Sequence, residues 1–226
     1  MNIVVAIGLG FAGLAVGLTL NPLITRLATD PKAANPLAPV RHPLLGGPTW
    51  IGIVVALLLS AMAVVVYADY GLGFRAAYWF AVAAVLVVTG AVDWKVRLID
   101  VFVLLGATLA ALVAAPWNGI GLKSALLGTV IAGIIFIFFW MLARFLFPGP
   151  GVPFGLGDVY LAMFIGAAVG IGHLGPSLFY GILMGGIAAL GILVVRQIGR
   201  GGEPYLAYGT YLCLGTLLYI ALWSPL

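Results

Sequence analysis

Among the six acidic residues of this 226-residue chain, Asp93 and Asp158 each adjoin a long apolar run at the predicted end of a span. Asp93 follows the run AVAAVLVVTGAV, and Asp158 precedes the run VYLAMFIGAAVG. If these runs cross a membrane, an aspartate inside one costs roughly 2.5–3.5 kcal/mol at the bilayer centre and less near the interface. A side chain kept at such a cost is a candidate for function. Asp30, Asp69 and Glu203, in contrast, fall in polar stretches typical of solvated loops.

Two carboxyl groups in one partly apolar site suit acid–base hydrolysis. Because like charges that lie close together cannot both ionise easily, one of the two stays protonated. One carboxylate can then take a proton from water while the other, protonated, donates to a carbonyl oxygen, as in aspartic proteases. Two simpler interpretations stay open: each aspartate caps a helix, or each pairs with a nearby Lys95, Arg97 or Arg144.

The composition places these residues in a membrane protein. Hydrophobic residues make up 64% of the chain and charged residues 7%, against roughly 45–50% and about 25% in soluble domains. These figures exclude a soluble globular domain, and the high hydrophobicity excludes disorder. The ten Lys and Arg residues are spread along the chain and form no clustered basic face for nucleic acid.

The charged residues divide the apolar sequence into about eight predicted transmembrane spans. The fold class expected is therefore an all-α, polytopic transmembrane helical bundle, with residues 1–226 as one domain and a short cytoplasmic loop at about 26–47. The predicted spans cover residues 2–25, 43–68, 76–92, about 101–115, about 124–143, two within 159–195 divided at His173–Pro176, and one from about 204 almost to the end.

The distribution of basic residues predicts the orientation. With the N-terminus outside, eight Lys and Arg residues fall in inner loops and two, Arg75 and Lys123, in outer loops. This is a strong positive-inside bias. It places Asp93 and Asp158 together at the cytoplasmic ends of their spans.

Other reactive residues fit less well. His42 and His173 fall in predicted loops on opposite sides of the membrane, so they cannot share a metal. Ser177 lies near His173 but without the surroundings of a serine intramembrane protease. Cys213 is the single cysteine, which rules out an internal disulfide and a Cys-x-x-Cys zinc site. We expect it to be a packed thiol inside the last span.

The segment around Asp158 carries a motif. Gly155-Leu156-Gly157-Asp158 resembles the Gly-x-Gly-Asp motif of intramembrane aspartyl proteases, and GLGDVYLAMFIGAAVG is similar to the corresponding span of the prepilin peptidase (type IV leader peptidase) family. AVDWKVRLID resembles that family's first catalytic segment. EPYLAYGTYLCLG is similar to its last span, and LNPLITRLA to the start of its first cytoplasmic loop. The resemblance runs in order along nearly the whole chain.

The resemblance implies a membrane aspartic endopeptidase that removes a short basic leader from prepilin-like or pseudopilin-like proteins at the cytoplasmic face of the inner membrane. Asp93 and Asp158 would be catalytic, and Gly155 and Gly157 would shape the site and admit the scissile backbone. Cleavage needs no cofactor. The family's second activity, methylation of the new N-terminus, would use S-adenosylmethionine.

The chain departs from the family pattern at several positions. Tyr160 stands where a Lys is common, and Asp100 stands where a Pro is usual. Asp100 is expected to cap the fourth span, and the alternative is a third acidic group in the site. The loop at 26–47 lacks the cysteines that bind metal in bifunctional members, so no metal is expected.

Two other function classes remain alternatives. A proton- or cation-coupled transporter could use Asp93 and Asp158 as ligands, although midplane acids and a repeat would suit it better. An inactive scaffold for pilus assembly is the third hypothesis, and Tyr160 in place of Lys is the feature that supports it.

Overall fold

The structure, a computed structural model, describes residues 2–27, 50–146, 155–197 and 207–222. These ranges hold eight α-helices and no strand, so the predicted all-helical, multi-pass architecture is confirmed. The helices are α1 (Ile3–Leu27), α2 (Trp50–Tyr70), α3 (Phe74–Val96), α4 (Val101–Asn118), α5 (Leu122–Leu146), α6 (Leu156–Val169), α7 (Ile171–Gln197) and α8 (Tyr208–Leu222).

Six of the helices in the described ranges are long and apolar enough to cross a membrane, and α6 and α8 are shorter. α6 has 14 residues and α8 has 15, which at 1.5 Å per residue gives lengths of roughly 21–23 Å. A bilayer core is about 30 Å thick. Of the eight spans predicted from the sequence, six correspond to helices long enough to cross a membrane and two correspond to the shorter apolar helices α6 and α8.

The chain divides into two compact units at the segment between α3 and α4, residues 1–98 and 99–224. In the first unit, α2 packs against both α1 and α3. Two glycines of α1 let it approach α2 closely: a Cβ added at Gly13 would lie 2.7 Å from the carbonyl oxygen of Leu59, and one at Gly17 would overlap the backbone of Ala56. This small-xxx-small contact is the close packing that glycine permits between membrane helices.

α6 is the central helix of the second unit, because it packs against α4, α5, α7 and α8. It is apolar on all sides, as a helix surrounded by others must be, and every residue from Phe164 to Val169 is buried. The closest approach to α5 is at Gly128 and Gly166, where each glycine faces the other's carbonyl oxygen. Gly181 and Gly215 bring α7 and α8 together: a Cβ added at Gly215 would overlap the backbone of Gly181, and one at Gly181 would lie 2.8 Å from the Cα of Leu212.

The junction between α6 and α7 lies at Gly170, so the predicted division at His173–Pro176 was wrong. Gly170 has a φ of 72°, a conformation that favours glycine. The Oγ of Ser124 in α5 accepts a hydrogen bond from the N–H of Ile171 at 3.2 Å, which satisfies a donor at the start of α7. Pro176 is accommodated inside α7. Non-helical backbone at membrane depth needs partners of this kind within the protein.

Candidate active site

Asp158 lies in the first turn of α6, at the end of the second unit where this central helix begins. Its side chain is buried, with 6% of its surface exposed. The backbone N–H of Gly155 donates a hydrogen bond of 3.1 Å to Oδ2 of Asp158. The capping interpretation is thus correct for this side chain, although the same contact fixes a buried carboxylate at a helix N-terminus, where negative charge is favoured.

The two glycines of the Gly-x-Gly-Asp motif have different surroundings. A Cβ added at Gly157 would lie 2.8 Å from the Cβ of Ile99, the residue just before α4. Gly157 therefore makes room for Ile99. Gly155 is exposed, has an extended backbone with φ −88° and ψ 151°, and has nothing nearer to an added Cβ than Oδ2 of Asp158 at 3.6 Å. The backbone before Asp158 is thus open on one side.

Asp100 caps α4, as expected. Its Oδ1 accepts hydrogen bonds from the backbone N–H groups of Phe102 at 2.9 Å and Val103 at 3.2 Å. These bonds satisfy two of the donors that the first turn of a helix leaves without intrahelical partners. The cap sets the start of α4, and with it the position of Ile99 against Gly157.

Tyr208, the first residue of α8, was not singled out from the sequence. It is half-buried, and its phenol group lies within electrostatic range of the Asp158 carboxylate. Its ring packs against α7, where a Cβ added at Gly185 would lie 3.2 Å from Cε2 of the ring. The similarity of EPYLAYGTYLCLG to a family's last span was the one sequence signal that pointed to this region.

Asp93 lies in the last turn of α3, in the first unit. It is also buried, with 5% of its surface exposed. Its carbonyl oxygen accepts a hydrogen bond of 2.8 Å from the N–H of Arg97, which ends the helix in a left-handed conformation with φ 55°. Such a conformation is unusual for a residue other than glycine. Each aspartate is thus held at a helix end within its own unit.

The segment that contains Asp93 and Asp158 matches a known protein family. Residues 80–190 match the model of the type IV leader peptidase family. Over this segment the chain belongs to the type IV leader peptidase family. No match to a curated protein was found, and none to a solved structure.

The leader peptidase family match covers both Asp93 and Asp158, with Gly155 and Gly157 between them. The match supports leader peptidase activity in general terms. Together with the long apolar helices, the family match indicates a multi-pass membrane protein. The resemblance found in the sequence motifs is thereby confirmed at the level of the family.

The histidine and serine candidates lie away from Asp158, near the opposite end of the second unit. His173 was expected in a solvated loop, but it lies in the first turn of α7, and its Nδ1 shares a hydrogen bond with the hydroxyl of Tyr219 in α8. Tyr219 is almost fully buried. Ser177 is also buried, and its hydroxyl donates to the carbonyl oxygen of Leu174 at 3.1 Å. The hydrogen bond between His173 and Tyr219 joins α7 to α8, whereas that of Ser177 stays within α7.

Among the described residues, the remaining candidates add no reactive group to the Asp158 site. Cys213 is buried in α8, as expected for a packed thiol. His42 and most of the loop at 26–47 lie outside the described residues. Within the described ranges, no group of three or more His, Cys, Asp or Glu side chains could hold a metal ion.

Proposed function

We propose that this member of the leader peptidase family is a membrane-embedded aspartic endopeptidase with Asp93 and Asp158 as its catalytic carboxyl groups. The observation that carries the proposal is the buried Asp158 carboxylate, fixed by the Gly155 N–H beside exposed backbone, within the matched segment. Asp93, buried in the same matched segment, is the second carboxyl group that acid–base hydrolysis requires. Buried carboxyl groups of this kind are characteristic of catalytic sites.

The chemistry requires both carboxyl groups to reach one water molecule. One of them removes a proton from the water, whose oxygen attacks the scissile carbonyl carbon, while the other donates its proton to the carbonyl oxygen. The proton taken from water then passes to the amide nitrogen as the C–N bond breaks, and a hydroxyl proton of the tetrahedral intermediate returns to the other carboxylate. Gly155 would border the scissile backbone, and its open side supports that role. Gly157 would shape the site by making room for Ile99. Water is the nucleophile, so cleavage needs no cofactor.

The proposed substrates are prepilin-like or pseudopilin-like proteins, which carry a short basic leader before a hydrophobic helix. The bias of eight basic residues against two supports an N-terminus outside and an active site at the cytoplasmic face of the inner membrane. Methylation of the new N-terminus with S-adenosylmethionine is the second activity that the family resemblance implies. A mass increase of one methyl group on the product would reveal it.

A cleavage assay in detergent or proteoliposomes tests the proposal. A panel of prepilin-like substrates is offered to the wild type and to Asp93→Asn and Asp158→Asn, and leader loss is read by gel shift and mass spectrometry. We expect each variant to lose at least about a thousandfold in kcat, because removal of one member of a catalytic unit disables the whole. Both variants should keep the wild-type unfolding temperature within a few degrees.

Asp100→Asn is the matched control. Asparagine caps a helix about as well as aspartate, so this variant removes a nearby carboxyl group while keeping α4 in place. We expect it to cleave within a few-fold of the wild type. Loss of cleavage in Asp100→Asn would make Asp100 a third acidic group of the site. Equal cleavage by all variants would refute the assignment of Asp93 and Asp158, and proton flux without any cleavage would favour a transporter.

A further inference from the structure

The helices of the second unit bring the start of α8 to the level of Asp158. α7 turns back at Gly170 directly after α6, and α8 packs antiparallel to α7, since Gly181 contacts Leu212 while Gly185 contacts Tyr208. α6 and α8 therefore run in the same direction and contact each other. Asp158 is the third residue of α6 and Tyr208 the first of α8, so both lie at the same end of the unit.

The ring of Tyr208 is fixed in place by α7. A Cβ added at Gly185 would lie 3.2 Å from Cε2 and 3.4 Å from Cδ2 of the ring, so a larger residue at Gly185 would press on it. The side chain is half-buried, and its phenol group interacts electrostatically with Asp158. A buried tyrosine hydroxyl usually takes a hydrogen-bond partner.

We propose that Tyr208 is a positioning residue for Asp158, with its hydroxyl donating a hydrogen bond to the Asp158 carboxylate. Together with the N–H of Gly155, this donor would hold the carboxylate in one orientation toward the attacking water. The inference rests on the proposed function for its catalytic meaning, although the hydrogen bond itself can be tested without cleavage.

The local surroundings of the two carboxyl groups also differ. Donors that bond a carboxylate favour its ionised form, and so does a helix N-terminus. Asp158 has both, whereas Asp93 lies in the last turn of α3, beside the carbonyl groups of a helix C-terminus. Loss of the Tyr208 hydroxyl would therefore remove one of the donors that favour the ionised Asp158 carboxylate.

Among the described residues, the other charged or titratable groups at this end of the second unit contact other partners or point to other sides. The Asp100 carboxylate caps α4, and the exposed Arg144 of α5 stacks 5.6 Å above the ring of Trp140. Tyr160 follows Asp158 by two residues on α6 and so points to a different side of that helix. α7 presents Gly185 toward Tyr208.

Tyr208→Phe removes the hydroxyl and keeps the ring, and Tyr211→Phe is the matched control. Tyr211 lies on the same helix, is also half-buried and also borders Gly185. The pH profile of kcat/KM is measured for both variants and the wild type. We expect the acid limb of Tyr208→Phe to move up by roughly 0.5–1 pH unit, the effect of one lost hydrogen bond. Tyr211→Phe should match the wild type.

Infrared titration of the reconstituted protein gives a readout that does not depend on activity. The carboxyl band that Asp158→Asn removes belongs to Asp158, and in Tyr208→Phe it should persist to higher pH than in the wild type. If the band moves while the wild type cleaves nothing, the contact stands and the peptidase proposal fails. An unmoved band, or an equal shift in Tyr211→Phe, would overturn the role of Tyr208.

Discussion

At the scale of single residues, the Asp158 site depends on a small number of close contacts. Gly157 has no side chain, and the Cβ of Ile99 occupies the adjacent space. Asp100 holds the first turn of α4 and so keeps Ile99 there. The buried carboxylate of Asp158 is fixed from its own helix by Gly155. The position of Asp158 is therefore set by α4 as much as by α6.

Gly157→Ala should destabilise the protein by about 1–3 kcal/mol, since the added Cβ would lie 2.8 Å from the Cβ of Ile99. When Ile99 is already replaced by Gly, the Gly157→Ala substitution should cost only about 0.5 kcal/mol or less, because the Cβ of Ile99 is gone. A double-mutant cycle of unfolding free energies in detergent measures this coupling.

Gly155→Ala is the control for this cycle. The nearest atom to its added Cβ is 3.6 Å away, and the backbone there is extended, so the change in unfolding free energy should stay within about 0.5 kcal/mol. If Gly157→Ala were as harmless as Gly155→Ala, the packing of Ile99 on the motif would be refuted.

At the scale of helices, glycine contacts set the packing of the second unit. α5 and α6 approach until Gly128 and Gly166 face each other's backbone, and α7 and α8 do the same at Gly181 and Gly215. Without a hydrophobic driving force between helices in lipid, such close backbone approach supplies much of the association energy. The contact of Gly128 with Gly166 fixes α6 against α5, and with it the position of Asp158 in the first turn of α6.

Gly166→Ala should cost about 2–3 kcal/mol of stability, because its Cβ would overlap the carbonyl oxygen of Gly128, a backbone atom that cannot rotate away. Gly106→Ala is the comparison. Gly106 lies on the exposed side of α4 with no atom within 4 Å of an added Cβ, and alanine is the better helix former by about 1 kcal/mol. In detergent, the unfolding temperature should therefore fall in Gly166→Ala and rise in Gly106→Ala.

At the scale of the whole molecule, the order of helices and the placement of charge together predict how the chain lies in the membrane. The basic residues that flank α3 and α4, Lys95 and Arg97, fall on the predicted inner side. Lys123, at the start of α5, falls on the predicted outer side. One long apolar helix, α4, separates these two groups.

Labelling with a membrane-impermeant maleimide tests this orientation. Lys95→Cys should react only when the cytoplasmic face is accessible, and Lys123→Cys should react from outside in intact cells, because both native side chains are exposed. The parent protein supplies the background, since its single cysteine, Cys213, is buried. Reaction of both variants from the same side would contradict the predicted topology.

The sequence by itself determined the helical membrane architecture and the family, and it predicted Asp93 and Asp158 as candidate catalytic residues. This was possible because uncharged runs of about 20 residues must be helices in lipid and because a buried carboxyl group stands out against them. It also predicted the Asp100 cap, since capping depends on local chain geometry.

Only the tertiary structure decided the division of α6 from α7 at Gly170 and the neighbours of Asp158. In the sequence, Gly170 and Pro176 are both plausible places for a helix to end. The helix ends at Gly170, where the N–H of Ile171 bonds to Ser124, a residue 47 positions earlier in the chain. Ile99 meets Gly157, and Tyr208 lies near Asp158, through packing between helices that are distant in sequence. Hydropathy does not show which helix faces contact each other, so contacts between residues distant in sequence can be identified only from the folded structure.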